Sequence, residues 1–175
     1  MYMGDVKSKT FIDSNASSAT YVAVAARPTT TFTLANSSFG TNTARKITAT
    51  TSGSSDGGKT VTIVGTDEDG DALTEVITLP GSATTTSGTT GAFLTITSAT
   101  VSAQPAANVS LGMTAEVFGS IFAGRTRVRQ ANVASATEGD ISTVNIPQDG
   151  ILYKDGAYIS FSEVSCNSVT VYFDA

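Results

Sequence analysis

The chain has 175 residues, of which 14% are charged, a formal net charge of −5 and no histidine. Hydrophobic residues make up 40% of it, which is enough for a packed core and excludes wholesale disorder. A weakly acidic chain is not drawn to nucleic acid, and the lack of histidine removes the commonest general base. We therefore expect neither a nucleic-acid-binding protein nor an enzyme.

In chain order, the first predicted element is an extended N-terminal arm over residues 1–18, a polar stretch that becomes ordered only when something holds it. Short strand-like segments follow over residues 19–118. Their regular spacing between turn signals predicts a β-sandwich or a barrel-like domain. The 21 Ser and 29 Thr of the chain favour this fold, because the β-branched Thr suits the solvent face of a strand.

The clearest predicted unit is a β-hairpin over residues 59–79. Val61 and Ile63 alternate with polar residues in its first half, and apolar and polar residues alternate again in its second half. Asp69 and Gly70 stand between the two halves, and both tolerate the positive φ of tight turns. The polar residues 82–91 that follow predict an exposed loop.

Residues 119–175 are predicted to form C-terminal strands or a small β-subdomain. One long strand is expected over residues 121–133, and a second hairpin turn is predicted at Asp155 and Gly156. The single cysteine, Cys166, cannot form an intrachain disulfide and is expected to be a small buried or turn residue. The fold class predicted for the whole chain is all-β.

Two charge patterns are candidates for function, and the first is acidic. Asp67, Asp69 and Asp71 have the spacing of a calcium loop. Gly70 precedes the third of these acids instead of following it, and Thr78 stands where a bidentate glutamate belongs. We interpret the segment as a hairpin tip and leave weak calcium binding open.

The second pattern is basic. Arg125, Arg127 and Arg129 are two residues apart, which puts them on one face of a strand. They predict either an edge strand that charge protects from aggregation or a docking strip for an acidic partner surface. Together with Lys7 and Lys9 of the arm they are the candidate partner-binding residues. We assign no catalytic, cofactor or metal-binding residue.

Four segments carry a resemblance to a known class of proteins. Residues 59–81 and 93–102 resemble a pattern common in structural proteins of tailed phages, although immunoglobulin-like bacterial surface repeats have similar segments. Residues 150–161 and 169–173 resemble the C-terminal strands of similar virion proteins. The nearest role in this class is that of a capsid decoration (cement) protein, which is often trimeric.

The resemblance implies that the partner is the major capsid protein and that the chain forms a homotrimer. It implies a place on the capsid surface after assembly in the host bacterial cytoplasm, with no cofactor, nucleic acid, membrane or small-molecule substrate. Two alternatives stay open: a tail or head–tail connector component, and an adhesive or glycan-binding β-module, which would need exposed aromatic side chains.

Overall fold

The computed structural model describes residues 7–12, 17–82, 86–120, 126–134, 141–145, 151–153, 157–162 and 168–174. These residues form thirteen β-strands and no helix, so the all-β prediction is confirmed. The strands are β1 (Lys7–Ile12), β2 (Ser18–Ala26), β3 (Ala44–Thr51), β4 (Thr60–Thr66), β5 (Ala72–Thr78), β6 (Thr86–Gly88), β7 (Thr95–Val101), β8 (Val109–Ser120), β9 (Thr126–Ala134), β10 (Ile141–Asn145), β11 (Ile151–Tyr153), β12 (Tyr158–Ser162) and β13 (Ser168–Asp174).

The strands form three antiparallel sheets. Sheet A has the order β1-β13-β9-β10, and β11 also pairs with β9. Sheet B has the order β12-β8-β3-β6, and β2 also pairs with β8. Sheet C has the order β5-β4-β7. Strand β12, from the predicted C-terminal segment, thus pairs with β8, which lies almost wholly in the predicted 19–118 domain.

Sheets B and C share the larger apolar core. Ile47 and Ala49 of β3 are fully buried, as are Val61 and Ile63 of β4 and Leu111 of β8. Strand β4 and the second half of β3 bury every second residue, as the period of a strand requires when one face meets a core. Two sheets that face each other across a shared apolar layer pack as a β-sandwich.

A second apolar cluster lies where sheet A meets strands β12 and β8. Its buried residues are Phe11, Ala157, Val169, Val171 and Phe173. A Cβ atom added to Gly119 of β8 would overlap the ring of Phe11, so only a glycine lets this ring approach so closely. Strand β1, which falls inside the segment predicted as an arm, pairs with β13 and closes this cluster.

The predicted hairpin is present as β4 and β5, whose register runs from Thr60 opposite Thr78 to Thr66 opposite Ala72. The two strands are joined by the five residues 67–71, which contain the predicted turn residues Asp69 and Gly70. Gly70 has a φ of 89°, which is the positive value expected for it. The local sequence therefore predicted the hairpin and the glycine of its loop.

Two other local predictions are wrong. The second hairpin is absent, because β11 pairs with β9 in sheet A whereas β12 pairs with β8 in sheet B. The predicted exposed loop over 82–91 contains β6, which pairs with β3, and the buried Thr89. Residues 121–125 of the predicted long strand, the turn residues 154–156 and Cys166 lie outside the described residues.

Candidate functional site

Lys7 and Lys9, two of the predicted partner-binding residues, lie on the same face of β1. Lys7 is exposed. The Nζ of Lys9 donates a hydrogen bond of 2.8 Å to the carbonyl oxygen of Ser120 and lies 5.4 Å from the centre of the Phe11 ring. Burial lowers the pKa of Lys9, and the charge of Asp69 opposes this shift. Lys9 thus holds β1 against the end of β8, whereas Lys7 presents its charge to solvent.

Three arginines are also predicted to bind a partner, and they lie within or next to β9 in the sequence. Arg125 lies outside the described residues, and only the backbone positions of Arg127 and Arg129 are described. Arg127 lies opposite Asp174, and Arg129 falls at a β-bulge between Val128 and Gln130. A bulge interrupts the two-residue alternation on which the one-face prediction depends. Strand β9 has neighbours on both sides, so the interpretation as a protected edge strand is wrong.

A buried carboxylate that the sequence analysis did not single out lies at one end of the sandwich. Asp56 is fully buried in the connection between β3 and β4. Its Oδ1 accepts hydrogen bonds from Lys59 Nζ at 2.8 Å and from the Ala106 N–H at 2.6 Å. Its Oδ2 accepts bonds from the Ala107 N–H at 3.0 Å and from Thr51 Oγ1 at 3.3 Å. One side chain therefore fixes two connections of the fold.

The environment of Asp56 stabilises its charged form. Burial by itself raises the pKa of this carboxyl, because it removes water from the charge. The bond and charge of Lys59 and the two backbone N–H groups of Ala106 and Ala107 outweigh burial and lower the pKa to about 2. Asp56 is therefore ionised at neutral pH, and its bonds serve the fold instead of a ligand.

Asp56 and its four hydrogen-bond donors form a clamp between the two connections. Next to this clamp lies an open groove of about 300 Å³, lined by Val24, Ala26, Arg27, Pro28, Thr31, Phe32 and Thr33. The chain here crosses between the two layers of the sandwich. Strand β2 pairs with β8 of sheet B, whereas the N–H of Phe32 donates to Ala99 O of β7 in sheet C at 2.9 Å. Because packed sheets lie about 10 Å apart, the crossing at Pro28 leaves a gap at the edge.

The acidic hairpin loop is tied to its own backbone and to sheet B. Asp67 Oδ1 accepts hydrogen bonds from the N–H groups of Asp69 at 3.0 Å and Asp71 at 2.9 Å. The hydroxyl of Tyr158 donates to Asp69 Oδ2 at 3.1 Å, and this bond is the main reason that the pKa of Tyr158 is raised. No group of three His, Cys, Asp or Glu in the described part of the chain could hold a metal ion.

Comparison with protein-family models, with curated proteins and with solved structures gives no match for this chain. The described residues include no helix long and apolar enough to cross a membrane. The candidate sites therefore have to be judged on their own geometry. Among the described residues, one exposed candidate site is the groove at Arg27, which no local sequence pattern indicated.

Proposed function

We propose that the protein is a capsid decoration (cement) protein of a tailed phage. In this proposal it binds the assembled major capsid protein as a homotrimer and stabilises the shell from its outer surface. The observation that carries the proposal is the organisation of sheet C. Residues 59–81 and 93–102, which resemble phage structural proteins, supply all three of its strands.

The outer face of sheet C suits a protein that acts by surface contact. Thr62 and Val64 of β4, Thr74 and Val76 of β5 and Thr100 of β7 share this face and carry no charge. Val64 is 36% exposed and Val76 is 57% exposed. Exposed apolar side chains on an uncharged face offer surface that a partner protein can remove from water.

The pairing of β1 with β13 supports a role that requires mechanical stability. These strands join residues 7–12 to residues 168–173 along six paired positions, so separating them requires the loss of many hydrogen bonds together. A decoration protein has to keep its shape while the shell beneath it is under pressure. Many copies that bind only the assembled shell then stabilise it by mass action, even where each contact is modest.

The proposal can be tested by stripping the protein from phage particles and then adding purified protein back. Particles stripped of the protein should lose their DNA at a lower temperature than intact particles, and purified protein should restore the original temperature. Failure of saturating protein to bind the stripped particles would contradict the proposal. Sedimentation of the free and rebound protein measures its oligomeric state. Copy number separates a decoration protein, present all over the shell, from a connector, present as one ring.

Lys7, the exposed lysine of β1, allows a test of the docking surface with a matched control variant. We expect Lys7→Gln to weaken rebinding, because Lys7 is exposed and was predicted to face the partner. Lys46→Gln removes the same charge elsewhere, from a side chain that lies 5.2 Å from the Phe118 ring, and should rebind like the parent protein. Equal rebinding by both variants would remove Lys7 from the docking surface.

A further inference from the structure

The groove at Arg27 combines an apolar floor with a cation at its rim. Phe32 is 4% exposed and belongs to the core, whereas Val24 on the groove wall is 62% exposed. A β-branched aliphatic side chain so open to water on the wall of a concavity adds apolar surface that a partner can cover. The volume of about 300 Å³ is at the small end of the range for binding pockets.

The guanidinium of Arg27 is held in place before any partner arrives. The Nε of Arg27 donates a hydrogen bond of 2.9 Å to the carbonyl oxygen of Pro105. The backbone carbonyl oxygen of Arg27 accepts a hydrogen bond of 3.3 Å from Gln104 Nε2. Within the described residues no carboxylate pairs with Arg27. The two terminal nitrogens of a guanidinium fixed through Nε present a fork that matches a carboxylate.

The loop that holds Arg27 is fixed in turn by the buried clamp. Asp56 accepts the N–H groups of Ala106 and Ala107, and Lys59 Nζ donates to Gln104 O at 3.0 Å. The charge of Lys59 is balanced by Asp56, whereas no carboxylate among the described residues balances the charge of Arg27. A partner that binds here meets a preorganised cation, which lowers the entropic cost of binding.

We propose that the groove binds an extended segment of a partner protein in which an aliphatic side chain stands two positions from an aspartate or a glutamate, so that both face the groove. The aliphatic group covers Val24 and Phe32, and the carboxylate pairs with the fork of Arg27. That the partner is the major capsid protein rests on the proposed function, whereas the chemistry of the groove does not.

The first test uses the full chain and a short synthetic peptide, acetyl-Val-Thr-Glu-amide, with acetyl-Val-Thr-Gln-amide as its neutral analogue. Nuclear magnetic resonance should show shifts at Val24, Thr33 and the Arg27 Nε–H, with a Kd on the order of 1 mM for the acidic peptide. The neutral analogue should bind about tenfold more weakly, as loss of a charge-assisted bond predicts. Arg27→Gln should abolish this preference, and Lys46→Gln should keep it. Shifts elsewhere, or equal binding of both peptides, would overturn the inference.

The second test separates the groove from the proposed function by using stripped phage particles. Val24→Ser replaces the groove valine, which is 62% exposed, and Lys46→Gln, outside the groove, is its control. If the parent protein rebinds, Val24→Ser should weaken rebinding about threefold or more, as loss of apolar contact predicts, and Lys46→Gln should rebind like the parent. Unchanged rebinding by Val24→Ser would overturn the groove as the docking site and leave the cement role standing. If the parent does not bind the particles, the cement role fails, and the peptide titration alone decides the groove.

Discussion

The carboxylate oxygen Oδ1 of Asp56 accepts a hydrogen bond of 2.6 Å from the backbone N–H of Ala106, a residue that lies 50 positions further along the chain. This bond ties the connection between β3 and β4 to the connection between β7 and β8. Because Asp56 is fully buried, the bond replaces the water that would otherwise satisfy both groups. The end of the sandwich next to Arg27 is therefore held by one ionised side chain.

Replacing the buried carboxylate should destabilise the protein. Asp56→Asn removes the charge that pairs with Lys59 and turns an amide group towards the backbone N–H donors. We expect the free energy of unfolding to fall by about 2–4 kcal/mol, since removing one member of a buried, hydrogen-bonded pair leaves its partners unsatisfied. Urea denaturation at neutral pH, monitored by circular dichroism, measures this loss.

Asp71→Asn is the matched control for this substitution. Asp71 lies in the exposed hairpin loop, and the same change of one oxygen to nitrogen there should alter the free energy of unfolding by no more than about 0.5 kcal/mol. Similar losses for the two variants would mean that the clamp around Asp56 does not stabilise the fold.

The stability that Asp56 contributes should depend on pH in acid. Its pKa in the folded protein is about 2, below the ordinary value of 3.8. A lowered pKa in the folded state gives stability that is present above the unfolded value and is lost as the pH falls from about 4 through about 2. Linkage puts this contribution at about 2 kcal/mol. The stability difference between the parent and Asp56→Asn should therefore shrink by this amount between pH 5 and pH 2 in urea denaturation. A difference independent of pH would contradict it.

The pair Asp56-Gly57 and Asp69-Gly70 shows how far local sequence predicts this fold. Both are Asp-Gly dipeptides between strands, and the sequence predicted a turn from the second. Of the two aspartates only Asp56 is buried, because the loop containing Ala106 covers it, and no local pattern encodes a contact across 50 positions. The alternation in β4 and β5 was predictable because it follows from a strand with one buried face.

Long-range pairing also explains what the sequence analysis missed at the candidate sites. The groove needs the Nε of Arg27 to reach Pro105, 78 positions away, and nothing near either residue indicates this contact. The arginines of β9 had the more regular local pattern, yet a bulge at Arg129 depends on the partner strand β13. Residue types predict which chemistry is available, whereas the order of strands in a sheet decides which residues meet.

Removing the ring of Phe11 should loosen sheet A without unfolding the sandwich. Phe11 is fully buried in the smaller apolar cluster, and its neighbour Ile12 is 43% exposed. Phe11→Ala should cost about 3–5 kcal/mol in the stability of this cluster, and Ile12→Ala should cost much less. Hydrogen exchange should show loss of amide protection in β1 and β13 for Phe11→Ala, with β4 unchanged. Equal loss of protection in β4 would show that the two cores unfold as one unit.

The hydrogen bond between Tyr158 and Asp69 predicts a titration at alkaline pH. This bond, followed by the negative charges of the loop, raises the pKa of Tyr158 above its ordinary value of 10.0. A raised pKa in the folded state means that the bond stabilises the fold below pH 10 and that its contribution is lost as the pH rises through the folded value. Asp69→Asn should lower the pKa of Tyr158 towards 10.0, as followed by the ring signals of selectively labelled tyrosine. Asp71→Asn removes one charge from the same loop without touching the hydroxyl and should shift this pKa less. Equal shifts in both variants would mean that the charge of the loop, and not the bond to Asp69, sets the ionisation of Tyr158.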